Sequence, residues 1–370
     1  MAVPLLDLIR QYRPLRDDIR AAIDRVCDQQ RFILGPEVDA FEAEAADALE
    51  VRHAIGFSSG TDALLVALMA LGVGRDDEVI LPTFTFFATA GVVSRLGARP
   101  VFVDVDPVDY CIDPDQLAAR IGPRTRAVIP VHLFGQAAAM DRVHAAAGDL
   151  PIIEDCAQAW GADYRGTPVG GLGAVGAFSF FPSKNLGGFG DGGMVTTGSD
   201  ELARSLRELR VHGQSGVYLH PQVGGNFRID ALQAAVLRIK LPLVPGWIEG
   251  RRANAARYAH LFEDAGLTGT VVLPEAIDGR GHTFNQYVIR APRRDELRAY
   301  LADRKIGSAV YYPLPLHLQP CFAELGYHEG DLPVAEKASG EVLALPVFSE
   351  MTEAEQHEVV TAISEFYREG

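Results

Sequence analysis

From His53 to about Thr197 the chain alternates short runs suited to strands with longer segments of helical apolar spacing. Few architectures accept that alternation. Parallel neighbours need a crossover, so the pattern points to an α/β domain with a mostly parallel sheet and helices on both faces. Seven strands are expected, at His53 to Phe57, Glu78 to Leu81, Pro100 to Val105, Ala127 to Leu133, Pro151 to Glu154, Ala177 to Phe181 and Gly193 to Thr197. Helices between them fall at Asp62 to Leu71, Phe86 to Leu96, Pro114 to Ile121 and Met140 to Ala147, where apolar residues recur at the helical period.

Two amphipathic helices, Arg13 to Asp28 and Glu37 to Leu49, precede this region, parted by the turn Leu34-Gly-Pro36. Behind it, Ile229 to Leu241 and about Trp247 to Ala265 read as helices, and Pro242 to Pro245 between them reads as a hinge or boundary. The remainder mixes strands, Gln286 to Arg290 and Ala309 to Tyr312, with helices, Arg294 to Arg304, Pro333 to Leu343 and Thr352 to Tyr367. The expected division is therefore residues 1–245, N-terminal helices and a large α/β domain, and 246–370, a linking helix and a small α+β domain.

A chain of 370 residues with 48% hydrophobic content can bury cores of that size. Its formal charge of -15 argues against a nucleic-acid surface, which needs clustered Lys and Arg. The apolar runs Ala63 to Leu71 and Val128 to Phe134 fall short of the roughly 20 residues that cross a bilayer, so no span is expected. Asp7 interrupts the apolar start and no basic leader precedes it, which argues against a signal peptide. Cys27, Cys111, Cys156 and Cys321 form no C-x-x-C pair. Neither a zinc site nor a disulfide framework is indicated, and a reduced, cytoplasmic setting is expected.

Three segments carry chemistry. Ser58-Ser-Gly-Thr61 sits where a strand ends and a helix begins, so free N–H groups at the positive end of a helix make an anion site; an ordinary helix cap reads the same way. Ile152-Ile-Glu-Asp155 brings a carboxylate to the carboxyl end of a buried strand, followed by Gln158. In open α/β sheets ligands bind outside those ends, and a carboxylate there can hold a cationic ring nitrogen. Phe178-Ser-Phe-Phe-Pro-Ser-Lys-Asn-Leu-Gly-Gly188 sets a lysine just after an apolar strand, among Pro and Gly. Desolvated, such a lysine becomes a nucleophilic amine. A phosphate cradle, an aldehyde-binding lysine and an acid for a ring nitrogen are together what pyridoxal phosphate requires.

These segments, with Leu5-Leu-Asp-Leu8, Pro82-Thr-Phe-Thr-Phe-Phe87, Gly225-Asn-Phe-Arg-Ile-Asp230 and Tyr312-Pro-Leu-Pro-Leu-His317, resemble the DegT/DnrJ/EryC1/StrS sugar aminotransferases over the whole chain. That family consists of pyridoxal-phosphate enzymes of the aspartate-aminotransferase fold, fold type I. The resemblance implies that Lys184 binds the cofactor aldehyde, that Asp155 holds the ring nitrogen and that Gln158 touches the ring hydroxyl. It also implies that Ser59, Gly60, Thr61 and Ser179 hold the phosphate, that Phe86 stacks on the ring and that Asn226 reaches the cofactor of a neighbouring subunit, making a homodimer with shared sites. His212, Arg228, Tyr312 and His317 are the expected substrate contacts. The cofactor would alternate between pyridoxal and pyridoxamine phosphate, with L-glutamate as donor, 2-oxoglutarate as product and a nucleotide-linked keto sugar as acceptor.

Among acceptors, 3-keto hexoses are favoured, a UDP-linked N-acetylated 3-keto uronic acid ahead of a dTDP-linked 3-keto 6-deoxy sugar. Arg228 supplies a reason, since a guanidinium grips a carboxylate in a two-bond fork. The alternatives are a 4-keto acceptor and a non-catalytic regulatory protein that binds cofactor or sugar. Gly171-Leu-Gly-Ala-Val-Gly176 matches G-x-G-x-x-G but precedes a strand, the wrong context for a dinucleotide site. Arg210, His212, Arg228 and Lys305 are expected to converge as a positive field for a diphosphate.

Overall fold

The computed structural model describes residues 2–369. Its strands are β1 (His53–Phe57), β2 (Glu78–Pro82), β3 (Arg99–Val103), β4 (Thr125–Val128), β5 (Ile153–Asp155), the two-residue pair β6 (Asp163–Tyr164) and β7 (Thr167–Pro168), β8 (Val175–Ser179), β9 (Gly193–Thr197), β10 (Tyr287–Arg290) and β11 (Val342–Leu345). β1 pairs antiparallel with β9, β9 antiparallel with β8, and β8 parallel with β5. The bridges Val128↔Ile152 and Val131↔Asp155 carry the sheet to β4, and parallel ladders continue through β2 to β3. The resulting order is β1-β9-β8-β5-β4-β2-β3, in which β9 alone runs against the rest.

The strands are apolar along both faces because helices cover both. β9 is buried at every residue and β8 at all but its last, the pattern of strands enclosed between layers rather than alternating in and out. Ser59 starts the helix Gly60–Ala70 by accepting the Asp62 N–H at 3.0 Å. Six consecutive residues of that helix, Ala63 to Leu68, are buried, since it lies between β8, β9 and neighbouring helices.

Three expected elements differ. Ala309 to Tyr312 forms no strand, only the bridge Ala309↔Ala344; Pro313 and Pro315 follow at once, and proline offers no N–H to extend a ladder. The helix from Pro333 ends at Glu341, because Val342–Leu345 pairs antiparallel with β10, so sheet pairing overrides the apolar spacing that suited a helix. Pro242 to Pro245 does not break the chain's course. A 3-10 turn at Leu241–Leu243 joins the helices Ala231–Lys240 and Val244–Asp264, with each proline in a first turn, where no N–H is needed. This run is long and apolar enough to cross a bilayer by length and composition, but half of its most apolar window is buried in the protein.

β10, β11 and the helices Val244–Asp264, Arg294–Asp303 and Glu353–Glu369 enclose a separate apolar cluster that includes Tyr258, Phe262, Tyr287 and Phe348. Val3 is part of it, bridged to Ile306. The N-terminal segment thus packs with the C-terminal portion of the chain.

Candidate active site

With β9 alone reversed, the carboxyl ends of β1, β2, β4, β5 and β8 share one edge of the sheet. A cleft of about 440 Å³ lies there, lined from each of them: Ser59 to Thr61 after β1, Thr85 and Phe86 after β2, Val131 after β4, Asp155 ending β5, and Ser179 and Lys184 from β8 onward. A larger hollow of about 620 Å³, between Val244–Asp264 and residues 274–284, contains neither Lys184 nor Asp155.

At one end the Gly60–Ala70 helix meets β8 so closely that a Cβ on Gly60 would lie 2.6 Å from the Ser179 Cβ, and one on Gly193 would lie 2.3 Å from the Ser59 carbonyl oxygen. Only glycine permits that approach. The first N–H groups of the helix have no intrahelical acceptor, so the ends of Gly60 and Thr61 beside the Ser179 hydroxyl form a cradle suited to a phosphate.

Asp155, buried, faces the same cleft. Its Oδ2 accepts the Thr89 hydroxyl at 2.8 Å and its Oδ1 the Ala157 N–H at 3.1 Å. Burial raises its pKa, opposed by the Thr89 and Ala157 bonds and the nearby Lys184. Such a carboxylate is improved by a cation set against it. Lys184 is half-buried, and desolvation of its amine lowers its pKa to about 8, against the opposite pull of Asp155. The loop that carries it is tied to the helix Ala231–Lys240: Gln233 accepts the Phe189 N–H at 2.8 Å, and Lys240 donates to the Gly187 carbonyl. Gln158 accepts the Phe134 N–H at 2.7 Å and donates to the Tyr312 hydroxyl at 2.9 Å. Phe86 is 59% exposed, a flat apolar face at the cleft's wall.

Lys184, Asp155, Ser59, Gly60, Thr61, Phe86, Gln158, Ser179 and Tyr312 are therefore gathered in one cleft. Among the described residues the lysine amine has no hydrogen-bond partner and the acid has no cation bonded to it, and the first N–H groups of the glycine-lined cradle point to an anion, so the residues fit pyridoxal phosphate.

The other expected contacts lie elsewhere. His317 is corrected to a structural residue: its side chain is fully enclosed, with Nδ1 on the Thr83 hydroxyl at 2.7 Å and Nε2 on Glu336 at 3.1 Å. No ring nitrogen is left for a substrate. His212, Asn226 and Arg228 sit outside this chain's cleft, on the segment that Phe57↔Arg228 and Val211↔Asn226 bridges hold beside β1. The expected cationic convergence fails too. Arg210 is spent on Glu42 and the Gly56 carbonyl, and Lys305 stands beside Val3 in the other cluster.

The G-x-G-x-x-G segment does cradle an anion, but one of its own chain. The N–H groups of Leu172 and Gly173, with that of Gly170 just before the segment, close on the buried Glu154 carboxylate at 2.7–2.8 Å, and His132 meets it at 3.0 Å. Glu154 is thereby satisfied, which leaves Asp155 as the carboxylate of that strand end that faces the cleft. Sequence reasoning missed Thr89, the partner of Asp155, together with Thr85, Asp191, Gln286 and Tyr311 on the cleft walls. No sequence signal marks Thr89, which bonds Asp155 across 66 residues of chain.

Comparison with known proteins gives a consistent answer. The model of the DegT/DnrJ/EryC1/StrS aminotransferase family matches residues 14–364. A pleiotropic regulatory protein of Geobacillus stearothermophilus is 52% identical over 100% of this chain and 99% of its own. A UDP-N-acetyl-3-dehydro-alpha-D-glucosamine 3-aminotransferase of Acidithiobacillus ferrooxidans is 47% identical over 98% of this chain and 97% of its own. The crystal structure of S. venezuelae DesV with a ketimine intermediate superposes with a TM-score of 0.94 at 44% identity, covering 99% of this chain and 98% of that one. The aspartate-aminotransferase fold expected from the sequence is the fold observed.

Proposed function

The chain belongs to the DegT/DnrJ/EryC1/StrS aminotransferase family, and from that premise we propose that it moves an amino group from L-glutamate to C3 of a nucleotide-linked 3-keto hexose. It is a pyridoxal-phosphate-dependent sugar transaminase. The observation that carries this reading is the pairing, in one cleft, of a desolvated lysine with a buried acid.

When bound, the cofactor supplies a carrier for the amino group and a ring that accepts electrons from the donor's α-carbon. Asp155, fixed by Thr89 and Ala157, would keep a proton on the ring nitrogen by its charge. Gly60, Thr61 and Ser179 would hold the phosphate, with Ser59 shaping the turn. Phe86 would supply an apolar face for the ring, and Gln158, braced by Tyr312, would meet its hydroxyl. Lys184 would hold the aldehyde, and its amine, with a pKa near 8, can both take a proton from the substrate carbon and return it.

Amination at C3 is supported by the Acidithiobacillus ferrooxidans relative, named for a UDP-linked 3-dehydro sugar. A uronic acid at C6 is supported by Arg228, whose Nε is buried without a partner. In a homodimer Arg228, Asn226 and His212 would serve the partner's cleft. The division at residues 245/246 and a cytoplasmic location belong to the same reading. The relative named as a regulatory protein keeps a non-catalytic role as the alternative, disfavoured by the retained lysine and acid.

The test is amino transfer from glutamate to UDP- and dTDP-linked 3-keto and 4-keto sugars. Aminated 3-keto acceptors are expected. Arg228→Lys should cut turnover of the uronate more than that of the 6-deoxy sugar; equal losses would remove the carboxylate argument, and amination of 4-keto sugars alone would remove C3.

A further inference from the structure

A second cavity of about 80 Å³ opens beside the Lys184 cleft, and Ser183, Gln286 and Tyr311 line both. Arg251, only 5% exposed, forms part of its wall. Its Nη1 donates to the carbonyls of Val347 at 2.9 Å, Phe284 at 3.0 Å and Asn285 at 3.4 Å. Those three bonds fix the guanidinium plane. They also leave Nε and Nη2 without a partner, and neither atom is sealed within protein. Among the described residues no carboxylate forms an ion pair with Arg251, and Glu350 acts on it only through space.

Arginine is seldom buried without a counter-charge, since the lost hydration is costly. Here burial pushes its pKa down to about 10. The unspent Nε–Nη2 edge is the side of the group that meets a carboxylate with two parallel bonds.

We propose that this cavity seats the distal carboxylate of the amino donor, with Arg251 as its counter-charge. The chemistry selects the ligand: an unspent guanidinium edge matches a carboxylate, and the wall shared with the Lys184 cleft lets a short dicarboxylate reach both cavities. The shared wall of Ser183, next to Lys184, sets the donor's amino end toward the cleft. This assignment rests on glutamate being the donor.

Calorimetric titration of the holoenzyme with glutarate, a dicarboxylate with no amino group to react, tests it. Two variants accompany the wild type. Ala344→Met fills the cavity and leaves Arg251 with its carbonyls, while Arg251→Lys keeps a charge and loses the fork. Both should weaken glutarate at least about tenfold, as expected for loss of a charge-assisted pair, with the cofactor absorbance unchanged as the control for folding. If Arg251→Lys fails to fold, Ala344→Met decides. Glutarate that ignores both variants, or does not bind the wild type at millimolar concentration, overturns the site even if glutamate proves an active donor. Glutarate that binds and responds to the variants while glutamate transfers nothing supports the site and sinks the donor assignment instead.

Discussion

The Lys184 cleft and the segment from Val211 to Arg228 treat polar and apolar groups in opposite ways. In the cleft, Asp155 and Gln158 find partners within the chain, and glycines let backbone close on backbone. The segment does the reverse. Its small hairpin, bridged Gly216↔Leu219, leaves Val217 100% and Tyr218 92% exposed, with Val223 at 88%, and Asn226 is exposed at its base. Exposed apolar residues gathered this way mark a contact surface rather than a resting one. In the first region one chain supplies the lysine, the acid and the phosphate cradle; the second has the form of a surface awaiting another chain, which is what the proposed homodimer supplies.

The sharpest way to break that contrast is Lys184→Ala. It should lower amino transfer by about a thousandfold or more, since it removes both nucleophile and proton carrier, while elution on size exclusion stays unchanged. Borohydride reduction of the native enzyme should mark Lys184 and not Lys240, although Lys240 also has a lowered pKa, near 8, because it is closed in against Gly187 and Trp247. Asp155→Asn comes next: cofactor retained, turnover down about a hundredfold, the scale seen when one oriented electrostatic contact is lost.

Asn226→Ala tests the other half. A lost hydrogen bond to a charged phosphate is worth about 1.5–3 kcal/mol, so a tenfold or greater loss is expected. Mixing inactive Lys184→Ala with Asn226→Ala is the stricter experiment. If Asn226 serves the partner, each mixed dimer has one site with both lesions and one intact site, and the mixture should recover about a quarter of wild-type activity. Recovery no greater than the average of the two parents would show that each chain uses its own Asn226.

Legibility in the sequence divided along the same line. The seven strands were readable because strands buried on both faces write continuous apolar runs, and Lys184, Asp155 and Gly60 were readable because each stands where a strand meets a loop. Thr89 was not, since a threonine on a helix carries no sign of the carboxylate it bonds across 66 residues of chain. His317 misled for the opposite reason: its place in Tyr312-Pro-Leu-Pro-Leu-His317 suited a ligand, but Thr83 and Glu336, distant in sequence, take both its nitrogens. Val342 and Leu343 could not be told from helix before β10 was seen beside them. The roles proposed for Asn226 and Arg228 would depend on a second copy, and one chain's spacing does not encode that geometry.

The smallest expected effect concerns the coupling of Lys184 to Asp155. Burial favours the neutral amine and the Asp155 carboxylate favours the ammonium, with burial the larger influence, so the amine titrates near pH 8 instead of 10.5. The neutral amine is the form that captures an aldehyde. Uptake of pyridoxal phosphate by cofactor-free enzyme should therefore accelerate as pH rises through about 8 and level off above it, followed by absorbance in a stopped-flow instrument. Asp155→Asn removes the group that raises the lysine's pKa, so the midpoint should move down. Thr89→Val should move it the same way by less, because without the Thr89 hydroxyl, which stabilises the ionised form, Asp155 holds its own proton more readily and supports the ammonium less. A midpoint near 10.5 in the wild type would mean that the amine is solvated. An upward shift in either variant would mean that Asp155 and Lys184 do not share the field that their common cleft implies.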